Sequence, residues 1–128
     1  MEKRYRRDDS LLHQKSYAFA IRVVKMVKYL RENASEFIMS KQVLRSGTAI
    51  GALIRESEFA QSTSDFLNKL YVALKETNET EYWLNILKDT GYIDEDAFNS
   101  MMADCGEITA LLVSSTKTIK RKLSEQKQ

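Results

Sequence analysis

Leu44–Ile54 reads LRSGTAIGALI and runs on through Arg55-Glu56-Ser57; after a short break, Asp65–Leu84 reads DFLNKLYVALKETNETEYWL. Small or apolar residues recur along both segments at steps of three and four. The first set is Val43, Gly47, Ile50, Ile54 and Ser57; the second is Phe66, Leu70, Ala73, Thr77, Thr80, Leu84 and Leu87. A repeat averaging about 3.5 residues puts each set on one side of a helix and favours shallow packing against a neighbour. Two helices in near-direct succession must pack antiparallel.

The same period continues outward. Leu12, Ser16, Phe19, Val23, Met26 and Leu30 make a stripe before this pair, and Phe98, Met101, Cys105, Ile108, Leu112, Ser115 and Ile119 make one after it. Flanking residues such as Val24, Leu53, Tyr71, Leu74 and Met102 widen the stripes to the face that a bundle core needs. Boundary residues agree. Ser10 is a candidate N-cap for the first helix and Ser40 for the second. Ser62 followed by Asp65 is a capping-box pattern, Gly91 stands where a left-handed C-terminal residue belongs, and Asp94 can cap the fourth helix. The pattern predicts helices at about 10–32, 40–61, 64–89 and 95–123, in an all-α, antiparallel, up-down-up-down four-helix bundle.

Composition agrees with one domain over residues 1–128. The chain has no Pro and only four Gly, too little punctuation for a sandwich or a doubly wound sheet. One cysteine excludes an internal disulfide and a cysteine zinc cluster, and one histidine excludes a His-rich metal site. The opening MEKRYRRDDS has no apolar stretch of a signal peptide, and no run of about 18 apolar residues follows, so a cytosolic protein without a membrane span is expected.

The net charge of +2 conceals a segregation. Lys3, Arg4, Arg6 and Arg7 open the chain, and Lys117, Lys120, Arg121, Lys122 and Lys127 close it. Glu76, Glu79, Glu81, Asp89, Asp94, Glu95, Asp96, Asp104 and Glu107 share their stretch with Lys88 alone. In an up-down bundle both chain ends meet at one end, giving a basic end opposite an acidic third–fourth turn. Solvated tails are the plain reading of the terminal cations. The functional one is phosphate neutralisation by Arg4, Arg6, Arg7, Lys117, Lys120, Arg121 and Lys122, binding RNA or DNA without reading sequence.

No catalytic constellation stands out. Gly47 and Gly51, with Ala52 beside them, cost a helix about 1 kcal/mol each for the glycines, so a close approach must offset them: a neighbouring helix, a partner subunit or a nucleic-acid backbone. Thr77 and Thr80 amid Glu76, Glu79 and Glu81 lack the Glu-x-x-His pairs of a di-metal bundle; the glutamates pair with Arg45, Arg55 or Lys69, or face solvent. Cys105 on a core stripe is an inert thiol rather than a nucleophile for His13. Trp83 is either second-face packing or an anchor for another subunit. Tyr71, Tyr82, Trp83 and Ile86 extend around the third helix, away from its seam, and are candidates for a subunit interface. No metal and no cofactor is expected.

These residues carry a resemblance. Leu44-Arg45-Ser46-Gly47-Thr48, Ile50-Gly51-Ala52 and Ile54-Arg55-Glu56, with Asp65-Phe66, Lys69-Leu70, Ala73-Leu74-Lys75-Glu76, Glu79-Thr80 and Tyr82-Trp83-Leu84, resemble the bacterial four helix bundle proteins encoded by intervening sequences in large-subunit ribosomal RNA genes. The accessory subunit of diversity-generating retroelements is similar. The resemblance implies a homo-oligomeric ring, with pentamers the associated form, and no enzymatic activity. For some relatives it implies nucleic-acid binding through a basic surface, with a reverse transcriptase as partner in the retroelement branch alone. Leu53 and Ser57 depart from the family pattern, where Asn and Ala are common. A protein-interaction or structural module without a nucleic-acid role is the alternative.

Overall fold

The computed structural model of the chain describes residues 10–126. Four helices follow one another: α1 (Leu11–Ala34), α2 (Met39–Ser57), α3 (Thr63–Asp89) and α4 (Glu95–Gln126). Each packs on the next, and α1 closes the ring against α4 through a thinner seam. This is the up-down-up-down bundle that the stripes predict.

The core is built from those stripes. All seven predicted α3 positions from Phe66 to Leu87 are buried, as are Val43, Gly47, Ile50, Ile54 and Ser57 of α2. Two substitutions occur within the pattern. On α1, Val27 is buried where Met26 is half-buried, and on α4, Thr116 is buried where Ser115 is half-buried. At 3.6 residues per turn, adjacent positions compete for the inward direction, and drift along a long helix moves the seam by one residue.

The helix ends show how local chemistry fixes the boundaries. Ser10 Oγ accepts the N–H of His13 at 3.3 Å, and Ser62 Oγ accepts that of Asp65 at 3.0 Å. The Asp65 carboxylate returns a bond to the N–H of Gln61, one residue outside the usual box. Gly91 turns with φ 83 after α3, and Asp94 Oδ1 accepts the Ala97 N–H at 2.8 Å.

The start of α2 corrects the sequence reading. Ser40 does not cap it. Glu36 reaches forward instead, its carboxylate accepting the N–H groups of Ile38, Met39 and Ser40 at 3.1, 3.1 and 2.7 Å. One carboxylate thereby satisfies three of the four N–H groups that a helix start leaves open. Ser40 is the second residue of α2 and is buried, donating to the Glu36 carbonyl and accepting from Arg31 Nε. Burial alone would raise the Glu36 pKa; the three N–H bonds outweigh it and hold the carboxyl below its ordinary value.

The α1–α2 contact is tight at Gly47. A Cβ on Gly47 would stand 2.8 Å from Val23 Cγ2 and 3.0 Å from Cγ1, and one on Gly51 would stand 3.4 Å from the Ser16 carbonyl oxygen. Gly47 therefore serves helix–helix approach, while a side chain at Gly51 would make ordinary contact with Ser16. Ala52 does not share that role: one residue past Gly51 the helix has turned about 100°, and Ala52 is exposed. On the other side of α2, the buried hydroxyls of Ser46 and Thr80 meet at 2.9 Å.

Two expectations follow. Gly47→Ala gains about 1 kcal/mol of helix propensity but overpacks Val23 at a cost of about 1–3 kcal/mol, so urea unfolding should show a net loss. In a Val23→Ala background the same change should become stabilising; equal effects in both backgrounds would contradict the contact. Glu36→Ala should cost about 1–3 kcal/mol by orphaning buried N–H groups. Because the folded carboxyl titrates below its ordinary value, its contribution is complete above about pH 5 and is lost as pH falls through the lower folded pKa. The acid-side difference between wild type and Glu36→Ala should narrow accordingly.

Candidate nucleic-acid interface

The acidic third quarter divides once folded. Arg45 of α2 reaches across to α3, its Nη2 lying 2.6 Å from Glu79 and 3.2 Å from Glu76. Glu79 also accepts the indole N–H of Trp83 at 3.1 Å. Its carboxyl is held below the ordinary range by Arg45 first and Trp83 second. Asp104 and Glu107 of α4 face α1, pairing with Arg22 and Lys15. Lys69 lies 3.6 Å from Glu56, a further α2–α3 pair. The acid remaining at the α3–α4 turn is Asp89, Asp94, Glu95 and Asp96, so the far end is less acidic than the sequence suggests.

Cys105 is fully buried at mid-bundle, and burial, then the charges of Glu81 and Asp104, push its thiol up to about 12. His13 sits near the chain-terminal end, its Nε2 3.5 Å from the buried Glu58 carboxylate. His13 faces the Ser114–Ser115 level of α4, about 15 Å along the axis from Cys105. Thiol and imidazole are not brought together. Among the described residues no group of three or more His, Cys, Asp or Glu is arranged to hold a metal ion.

The chain-terminal end is where the polar and basic features gather. Lys117, Lys120, Arg121 and Lys122 are all exposed on the last turns of α4. Their positions fan around the helix, and among the described residues none has a carboxylate within ion-pair distance. Arg4, Arg6 and Arg7 lie outside the described residues. Beside this fan, the α1–α4 seam opens into a cleft of about 200 Å³. Leu12, Ile54, Phe66, Leu70 and Ile119 form its apolar side. Hydroxyls of Ser57, Ser114, Ser115 and Thr118, with His13, form the polar side. The cleft exists because α4 carries small hydroxyl residues between Leu112 and Ile119. The sequence signal was Ser115 standing in an otherwise large-residue stripe.

The four aromatic and aliphatic candidates on α3 do not make one patch. Tyr82 is 58% exposed and packs edge-on against Trp83, centroids 5.2 Å apart. Trp83 and Ile86 are half-buried, and Trp83 is fixed by Glu79. Tyr71 lies eleven residues before Tyr82, about 16 Å along the helix. Sequence reading missed Tyr17 and Ile21 and placed Val24 on the core face, but all three lie exposed in a stripe on α1. Their four-and-three spacing puts them one step round the helix from the buried Ser16, Phe19 and Val23. No helix among the described residues is long and apolar enough to cross a membrane.

Fold and surface together define an all-α bundle with one basic, cleft-bearing end. The model of the 23S rRNA-intervening sequence protein family matches residues 8–114, and the chain belongs to that family. A crystal structure of a protein of unknown function from the S23 ribosomal protein family of Bacteroides thetaiotaomicron VPI-5482 is 53% identical, with a TM-score of 0.83. The alignment covers 84% of this chain and 99% of that one. Among curated proteins no match was found. The cationic turns Lys117–Lys122 lie beyond the stretch that the family model matches.

Trp83, the single tryptophan, reports on the Arg45–Glu79 cluster. Its emission should titrate with a midpoint below 4.5, the ordinary carboxyl value. Arg45→Ala should move that midpoint up, and Glu79→Gln should abolish it. An unchanged titration in Glu79→Gln would show that the ring does not sense this carboxylate.

Proposed function

We propose that this protein is a non-enzymatic, self-associating helical bundle of the cytosol that holds RNA or DNA through its basic end. The observation that carries the reading is the exposed fan of Lys117, Lys120, Arg121 and Lys122 without carboxylate partners among the described residues. Four other cations, Arg22, Arg45, Lys15 and Lys69, each lie against an acid of the neighbouring helix. Cations left unneutralised at one end raise the local potential and draw a polyanion. The separation of Cys105 from His13 supports the non-enzymatic part of the reading. Self-association is supported by the exposed apolar residues Tyr17, Ile21 and Val24 on α1 and Tyr82 on α3. A ring, pentameric as the resemblance implies, gathers identical basic ends on one rim and multiplies weak phosphate contacts by avidity.

A second reading, a module whose partner is another polypeptide, is favoured by the α1 stripe, since apolar stripes serve protein partners as well as copies of the same chain.

Titration with single-stranded RNA across a salt series separates the two. Four phosphate contacts per copy give a log–log slope of roughly −3, a loss of about fifty-fold between 50 and 200 mM salt. Replacing Lys120 and Arg121 with Ala should flatten the slope by about one to two units. No binding at low salt, or binding insensitive to salt, overturns the nucleic-acid reading. In light scattering the wild type should exceed 14.8 kDa at micromolar concentration, and Ile21→Glu should lower the mass while helical circular dichroism persists. A wild-type monomer overturns self-association.

A further inference from the structure

We propose that the acidic end of the bundle receives the basic end of a second copy, so that molecules join end to end in one direction. The inference goes beyond the nucleic-acid reading, since it gives the same cations a second ligand. The acidic end is more than a group of carboxylates. Its α1–α2 loop presents Phe37 and Ile38 side by side, 58% and 79% exposed, and Ile38 is the most exposed large apolar residue among those described. The loop is fixed, because Glu36 holds the N–H groups of Ile38, Met39 and Ser40. Helix register places further residues beside it. Ser46 meets Thr80 across the α2–α3 seam, so Ile38, eight residues back, is level with Lys88 at the end of α3. Arg22 meets Ser100 and Asp104 across the α1–α4 seam, so the exposed Tyr29, seven residues on, is level with the stretch from Ile93 to Ala97. Asp94, Glu95 and Asp96 stand exposed there, and among the described residues none has a cation within ion-pair distance.

Carboxylates beside exposed rings suit Lys and Arg, whose heads pair with the acids and whose charge or apolar stems lie on ring faces. The other end of the molecule carries such a set in Lys117, Lys120, Arg121 and Lys122. Few charges oppose the match. Lys41 flanks the acidic end and Glu125 the basic end, while Lys88 is engaged by Asp89 and by the Phe98 ring, 4.3 Å from its centroid. Because the two faces differ, every contact leaves one acidic and one basic face free, so the string does not close as a two-fold dimer does. Four helix ends about 10 Å across cover roughly 400 Å². A contact then buries about 800 Å² over both copies, below the roughly 1,200 Å² of stable complexes. Association is therefore weak and salt-dependent. It uses none of Tyr17, Ile21 and Val24, so side-by-side assembly through α1 leaves both ends available. A bound nucleic-acid strand and a second copy compete for one set of cations.

The test is light scattering of the full-length protein over a concentration series at about 50 and about 500 mM salt, between which the screening length falls from about 14 to about 4 Å. At the lower salt the average mass should rise with concentration to at least double its high-salt value. Two variants then exchange the charges. Lys120→Glu with Arg121→Glu makes both ends acidic, and Glu95→Lys with Asp96→Lys makes both ends basic. Each variant alone should keep its high-salt mass at either salt, and an equimolar mixture should regain the rise, because one native contact forms between the two. A wild-type mass equal at both salts and all concentrations overturns the proposal. A rise that persists in either variant alone also overturns it, because the contact then lies elsewhere. A mixture of folded variants that stays at the separate masses overturns it as well and assigns the two ends to other partners. The wild-type salt comparison decides the matter even where a variant does not fold. None of these outcomes measures RNA affinity, so the nucleic-acid reading stands or falls separately.

Discussion

Everything in this bundle depends on how closely α1 lies on α2. Gly47 removes a side chain from the contact and Val23 occupies the space, with Ser16 lying against Gly51 one turn further on. A helix drawn that far toward one neighbour has less to give the other. The α1–α4 seam is correspondingly thin and is bridged by long charged side chains, Lys15 to Glu107 and Arg22 to Asp104. Where those bridges end, toward the chain termini, small hydroxyl residues of α4 leave the seam open.

The α2–α3 seam is the opposite case. It is closed by the apolar stripes, by the buried Ser46–Thr80 hydroxyl contact and, at its margin, by Arg45 holding Glu76 and Glu79. Partly exposed ion pairs of this kind contribute only about 0.2–1 kcal/mol each, so their main effect is positional. They fix the register of the two helices that carry the family motif. They also neutralise Glu76 and Glu79 within the acidic quarter, whereas the cations on the last turns of α4 have no carboxylate partner among the described residues.

The α3 stripe was fully legible, because a buried helix packed on both sides leaves no choice of inward direction. The α4 stripe was legible as far as Leu112; beyond it the seam passes to Thr116, since the helix there packs against an open seam rather than a full partner. The α2 start was misread because Ser40 matches the local cap preference, whereas Glu36 reaches the same N–H groups from further back, which requires the turn at Ser35, with φ 52. The glycines were legible as a close approach but not which helix approaches. Ala52 was misplaced by proximity in sequence, and the α3 aromatics were grouped by side of helix without regard to distance along it. The cleft left one trace in the sequence, Ser115, but its opening depends on the spacing between the start of α1 and the end of α4, about a hundred residues apart in the chain.

The most direct test of a basic, cleft-bearing end as the working surface is a residue-resolved NMR titration of the full chain with single-stranded RNA at low salt. Amide shifts should cluster at Ser10–His13, around Ser57 and Phe66, and from Ser114 to Lys122. Shifts centred on Tyr17–Val24 or on the α3–α4 turn, with the end of α4 unmoved, would contradict it.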